Sequence, residues 1–120
     1  MARVLIVDDD DIVRMVVAQF LHLGNHTVTQ AESGEEAIRL LVQDPPDLVV
    51  TDLSMPGMGG RQLRERSHLL KPGLPFIAMS GYIVGEDIRA EFSETLEKPL
   101  RSADILNAVE NILSRIPMVA

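Results

Sequence analysis

Arg3-Val4-Leu5-Ile6-Val7-Asp8-Asp9-Asp10 opens the chain with a short apolar run that ends in three carboxylates. A run of this length, continuous in its hydrophobicity and closed by charge, reads as a strand covered on both faces whose carboxyl end reaches the surface. The pattern returns twice. Leu48-Val49-Val50-Thr51 ends in Asp52, and Phe76-Ile77-Ala78-Met79 ends in Ser80-Gly81. If the first two runs are neighbouring parallel strands, several like charges gather at one end of a sheet. Each pair ~4 Å apart would then repel by about 4 kcal/mol at an effective dielectric near 20. A bound cation and a lysine make such a cluster tolerable, and Lys98, just before Pro99, is the candidate lysine. Acids and a lysine so distributed point to phosphoryl chemistry on a carboxylate.

Between these runs lie segments of helical period, so the chain reads as five βα units around a parallel sheet. The first helix repeats Ile12, Val13, Val16, Val17, Phe20 and Leu21 and is expected to stop at Gly24 in a left-handed cap. A polar second strand, about 26–30, is followed by Ser33 and Glu36, a capping box, and by a helix through Ala37, Ile38, Leu41 and Val42 that Pro45 and Pro46 end. After Asp52 and the loop Ser54-Met55-Pro56-Gly57 comes a helix carrying Leu63, Leu69 and Leu70, closed by Lys71-Pro72-Gly73. A short helix with Val84, Ile88 and Phe92 leads to a fifth strand near 95–97. The last helix shows Ile105, Leu106, Val109, Ile112 and Leu113.

The first, third and fourth strands are nearly all apolar, whereas the second and fifth are mixed and belong at the edges. That sorting predicts an α/β fold, a single-domain doubly wound five-stranded parallel sheet in the flavodoxin-like order 2-1-3-4-5 with five flanking helices. Its ligands bind beyond the carboxyl ends, at the switch point between strands one and three, where Asp8, Asp9, Asp52 and Ser80 would collect.

The 120 residues suit one domain, 1–120, and leave no room for a second. A net charge of −7 disfavours direct binding to nucleic acid, which needs a basic face. With no cysteine there is no disulfide, thiolate metal site or cysteine nucleophile. The apolar run from Val4 is too short for a signal peptide or a membrane span, so the expected location is cytoplasmic, with no membrane attachment of its own.

A carboxylate attacks phosphorus poorly unless the phosphoryl charge is neutralised and attack is held in line. Asp52 is the expected nucleophile, Asp8 or Asp9 the expected Mg²⁺ ligand, Lys98 a neutralising ammonium and Ser80 a hydroxyl donor to another phosphoryl oxygen.

Leu5-Ile6-Val7-Asp8-Asp9-Asp10, Thr51-Asp52-Leu53-Ser54-Met55-Pro56-Gly57, Ala78-Met79-Ser80-Gly81-Tyr82 and Glu97-Lys98-Pro99-Leu100 together resemble the motifs of the bacterial two-component response-regulator receiver domain. The resemblance covers almost the whole chain. It implies Asp52 as phosphoacceptor, Asp9 as a direct Mg²⁺ ligand, Asp8 as a largely water-mediated one, and the Ser54 backbone carbonyl as a further ligand. It also implies a cis Lys98–Pro99 peptide and roles for Ser80 and Lys98 at the phosphoryl group. The donor would be the phosphohistidine of a sensor histidine kinase or phosphotransfer protein. Phosphorylation would change binding of a downstream protein through the fourth helix, fifth strand and fifth helix, with a homodimer as a further arrangement. Such a domain is a switch rather than an enzyme, since it catalyses only its own phosphorylation and dephosphorylation. It occurs alone or as the receiver part of a hybrid kinase.

Two positions depart from the family pattern. Thr95 stands where an aromatic switch residue is usual, so an aromatic toggle cannot operate there. Gly59 replaces an acidic or small polar residue at the start of the third helix, a loss of some tenths of a kcal/mol at most. Tyr82, two residues past Ser80, is expected to shield the phosphate. The rival reading is a haloacid-dehalogenase-like phosphohydrolase with Asp8 as nucleophile and Asp10 as acid. His22, His26 and His68 lack a ligand spacing and are read as surface or packing residues. The Gly57-Met58-Gly59-Gly60 stretch fails both the dinucleotide and the P-loop patterns.

Overall fold

Five parallel strands alternate with five helices in the computed structural model, which describes residues 1–115. In chain order they are β1 Arg3–Val7, α1 Asp11–Leu23, β2 Thr27–Ala31, α2 Gly34–Gln43, β3 Leu48–Asp52, α3 Gly60–Leu70, β4 Phe76–Ser80, α4 Glu86–Arg89, β5 Glu94–Glu97 and α5 Ser102–Arg115. The sheet runs β2-β1-β3-β4-β5. The nearly all-apolar strands are inside and the mixed ones at the edges, as their composition requires.

Alternation along the inner strands builds two cores. Val4, Ile6, Leu48, Val50, Ile77 and Met79 face α1 and α5, meeting Val17, Leu21, Ile105, Val109 and Ile112. Leu5, Val7, Val49 and Ala78 face the other way and meet Ala37, Met58, Leu63, Val84 and Phe92. Register then sets the site. Val7 pairs with Thr51, so Asp8 and Asp52 leave the sheet side by side, and Ser80 pairs with Glu97, which puts Lys98 one residue beyond.

Helix starts follow local chemistry. Asp10 Oδ1 accepts from the amides of Ile12 and Val13 at 2.9 and 3.3 Å, capping α1. Ser33 Oγ accepts from the Glu36 amide at 3.1 Å, while Glu36 reaches back to the Glu32 amide, one residue before the cap. Gly59 precedes α3 as its N-cap and supplies no side-chain cap bond.

Four expectations need correction. Gly24 ends α1 with φ −89°, and the left-handed residue is Asn25, φ 64°, whose short polar side chain tolerates that region. The second strand begins at Thr27, because His26 turns inward to bind the Ala2 amide. Leu69 and Leu70 are exposed, and α3 contributes Leu63 to the core instead. α4 has only four residues; Val84 and Phe92 are buried but flank it.

Candidate functional site

The rung shared by β1 and β3 ends in a carboxylate cluster. Asp8 is fully buried, Asp52 is 6% exposed and Asp9 is exposed, and one oxygen from each lies within 4.8 Å of the others. Lys98 Nζ reaches both buried acids, 2.9 Å from Asp8 Oδ2 and 3.3 Å from Asp52 Oδ2. The Lys98 amide donates to Ser80 O at 2.7 Å, which ties the lysine to the end of β4, and the Lys98–Pro99 peptide is cis.

Burial and the neighbouring Asp8 push the Asp52 carboxyl above its usual range, with Lys98 pulling the other way. For Lys98, burial favours the neutral amine, yet the bonds and charges of Asp8 and Asp52 together raise it. Three carboxylates face one ammonium, leaving an excess of negative charge on hard oxygens. That donor set fits Mg²⁺, which takes one or two carboxylates and completes its shell with water and phosphate.

Several of these oxygens are already engaged. Asp8 Oδ1 accepts from the Asp10 amide at 2.9 Å, so Asp8 is held from both sides. Ser54 is exposed at the start of the loop, its amide 3.4 Å from Asp52 Oδ1. The Ser80 hydroxyl closes its own turn, donating to Tyr82 O at 2.8 Å and accepting from the Tyr82 amide at 3.1 Å. It must release the first bond before it can donate to a phosphoryl oxygen. Tyr82 is half exposed. Thr95 sits mid-β5 opposite Ala78 and lines a small cavity with Val84, Arg89, Leu96 and Glu97. Asp10 Oδ1 is engaged by the α1 amides, which makes Asp10 a helix cap in this structure.

Sequence reasoning missed Arg14. Its Nη1 donates to Asp8 O at 2.6 Å and its Nη2 to Asp11. A cation one turn into a helix that begins with aspartates was the available signal. An apolar groove adjoins the site, lined by Ile12, Val13, Val16, Val17, Pro99 and Leu100 beside Lys98. A cavity of about 400 Å³ lies at the amino end of the strands among Asp47, Lys71, Pro75 and Arg115, away from the acids.

This geometry agrees with comparison to known proteins. The family model for the response regulator receiver domain matches residues 4–110, and the chain belongs to that family. FleR of Pseudomonas aeruginosa, a response regulator protein, is 32% identical over 121 residues, covering 97% of this chain and 26% of FleR. CpdR of Brucella abortus, a response regulator receiver protein, is 29% identical, covering 94% of this chain and 98% of CpdR. A putative response regulator from Chloroflexus aurantiacus superposes with a TM-score of 0.86 at 29% identity, over 95% of this chain and 98% of that one. The chain spans 33% of YesN of Bacillus subtilis and 26% of FleR, the longer of its relatives here. The family is the phosphoryl-accepting part of two-component systems, acting as a switch rather than an ordinary enzyme, and its members bind Mg²⁺ at acidic residues and interact with sensor kinases and effectors. No helix among the described residues is long and apolar enough to cross a membrane.

Proposed function

We propose that residues 1–120 form one receiver domain in which Asp52 accepts a phosphoryl group from the phosphohistidine of a sensor kinase or phosphotransfer protein. The observation that carries this reading is Lys98 Nζ bridging Asp8 and Asp52, with an Asp9 oxygen in reach of both. An Asp52 oxygen forms the new P–O bond as the P–N bond to the donor imidazole breaks, and the imidazole leaves with its electron pair. Asp8, Asp9, Asp52 and the Ser54 backbone carbonyl would hold Mg²⁺, which when bound offsets charge on the phosphoryl oxygens. Lys98 meets a second oxygen. Ser80, once it lets go of Tyr82 O, donates to a third.

The apolar groove between α1 and Pro99-Leu100 supports donor docking beside the acids, since a partner seated there would present its histidine over Asp52. On the far side, α4 has no wholly buried residue, which suits a segment that shifts with Ser80 and changes the α4-β5-α5 face seen by a downstream protein. Thr95 rules out an aromatic toggle, so the shift passes through the Ser80–Tyr82 turn. Tyr82 shields the phosphate from water. The same domain serves as a cytoplasmic stand-alone regulator or inside a hybrid kinase, and a homodimer through the shifting face belongs to this reading.

Incubation with acetyl phosphate and Mg²⁺ tests the core claim. Wild type should take up one phosphoryl group and Asp52→Asn none. Label that survives Asp52→Asn and vanishes in Asp8→Asn would overturn it in favour of a phosphohydrolase.

A further inference from the structure

Four consecutive aspartates, Asp8 to Asp11, form the β1–α1 turn, and most polar groups of Asp8 and Asp10 are committed. The Asp8 amide donates to Ala31 O, the Asp10 amide to Asp8 Oδ1, the Ile12 and Val13 amides to Asp10 Oδ1, and the Arg14 amide to Asp10 O. The Asp8 carbonyl has a partner too: Arg14 Nη1, at 2.6 Å. This carbonyl belongs to the peptide joining Asp8 to Asp9, so its direction sets where the Asp9 carboxylate points. Asp9 itself makes no side-chain hydrogen bond to a described residue.

Arg14 is unlike an ordinary helix-surface ion pair. Its side chain is only 11% exposed, while that of its partner Asp11 is 82% exposed. A guanidinium drawn that far from water needs charge-assisted bonds in return, and its rigid fork supplies two, one to a backbone carbonyl and one to a carboxylate. The fork spans the turn from its first aspartate to its last.

Resting on the Mg²⁺ reading above, we propose that Arg14 is a positioning residue for the metal site, bracing the Asp8–Asp9 peptide so that the Asp9 carboxylate is presented beside Asp8 and Asp52. The brace acts against simple electrostatics. A positive charge behind a cation site repels the cation, so removing Arg14 would tighten Mg²⁺ binding if charge alone mattered. If positioning dominates, removing it weakens binding, about tenfold by analogy with other groups that orient metal ligands.

Titration with Mg²⁺ alone, followed by the Asp9 and Asp10 amide resonances, separates these. Thermal unfolding of each variant checks that the protein titrated is folded. Arg14→Gln should raise the Mg²⁺ dissociation constant about tenfold, and Arg14→Lys, which keeps the charge but not the fork, should fall between it and wild type. Unchanged or tighter binding by Arg14→Gln overturns the proposal, as does wild-type affinity in Arg14→Lys. Should Arg14→Gln not fold, the Arg14→Lys result decides. Wild type that takes up no Mg²⁺ would overturn the metal-site reading and this inference together, whereas wild-type binding with unaffected variants removes this inference alone.

Discussion

The first residue of α3, Gly60, lies directly against the backbone carbonyl of Asp52: a β-carbon on Gly60 would stand 2.5 Å from that oxygen. Glycine is required there for close approach, not for a left-handed backbone. The neighbouring contact is backbone and cannot rotate away, so Gly60→Ala must displace either α3 or the strand end. We expect a loss of about 1–3 kcal/mol in denaturant unfolding, with slower acetyl-phosphate labelling of the folded fraction because Asp52 is moved. Unchanged stability with unchanged labelling would show that the two elements separate freely.

Asp52 carries a carboxyl raised by burial and by Asp8. Stability from a raised acid is fully present below its unfolded value of 3.8 and is lost as pH rises through the folded value. At neutral pH without metal the ionised Asp52 therefore weighs against the fold. Asp52→Asn should melt at a higher temperature than wild type at pH 7, and this advantage should vanish below pH 3.8. Mg²⁺ should reverse the order by stabilising wild type more than the variant. Scanning calorimetry at the two pH values, with and without Mg²⁺, reads all three effects.

His26 is buried at the start of β2, its Nδ1 accepting from the Ala2 amide at 3.0 Å. That bond assigns the ring proton to Nε2, which has no hydrogen-bond partner among the described residues and lies 3.9 Å from Glu110. Burial lowers the His26 pKa, the N-terminal amino group lowers it further, and Glu110 opposes them. Because the unfolded chain binds the proton more readily, stability is whole above the unfolded value of 6.5 and declines as pH falls from there through the folded value. Melting curves between pH 8 and pH 5 should show this decline in wild type and a flatter profile in His26→Gln.

Ser67, on the buried side of α3, has a hydroxyl with no partner among the described residues. Burying an unbonded hydroxyl is unfavourable, and alanine is the better helix former. Ser67→Ala should therefore be neutral or more stable by up to about 1 kcal/mol in urea unfolding. A marked loss would mean that the hydroxyl is bonded after all.

Much of this protein was readable one residue at a time. The inner strands announce themselves because both faces of Leu5-Ile6-Val7 and Leu48-Val49-Val50 must be apolar, and a charge can appear only where the strand leaves the sheet. The edge strands are equally plain, since Thr27–Ala31 and Glu94–Glu97 keep polar residues that a covered strand would have to bury. Strand order and the gathering of Asp8, Asp9, Asp52 and Lys98 follow from those two facts. Local capping by Ser33 depends on a neighbour three residues away and was legible for the same reason.

Other features exist only once distant segments meet. Nothing in the spacing of Gly59-Gly60 says that α3 will rest on the Asp52 carbonyl, or in the helical period that Leu69 and Leu70 will miss the core while Leu63 enters it. Arg14 looks like a surface residue of α1 until the turn folds its aspartates back toward the guanidinium. Periodicity and strand-end charge are properties of a segment with itself, and so the chain alone determines which residues form the sheet and which acids share its end. Which oxygens are already taken, which ring is buried and which backbone a helix presses against depend on how separate segments approach in space, and those were decided by packing.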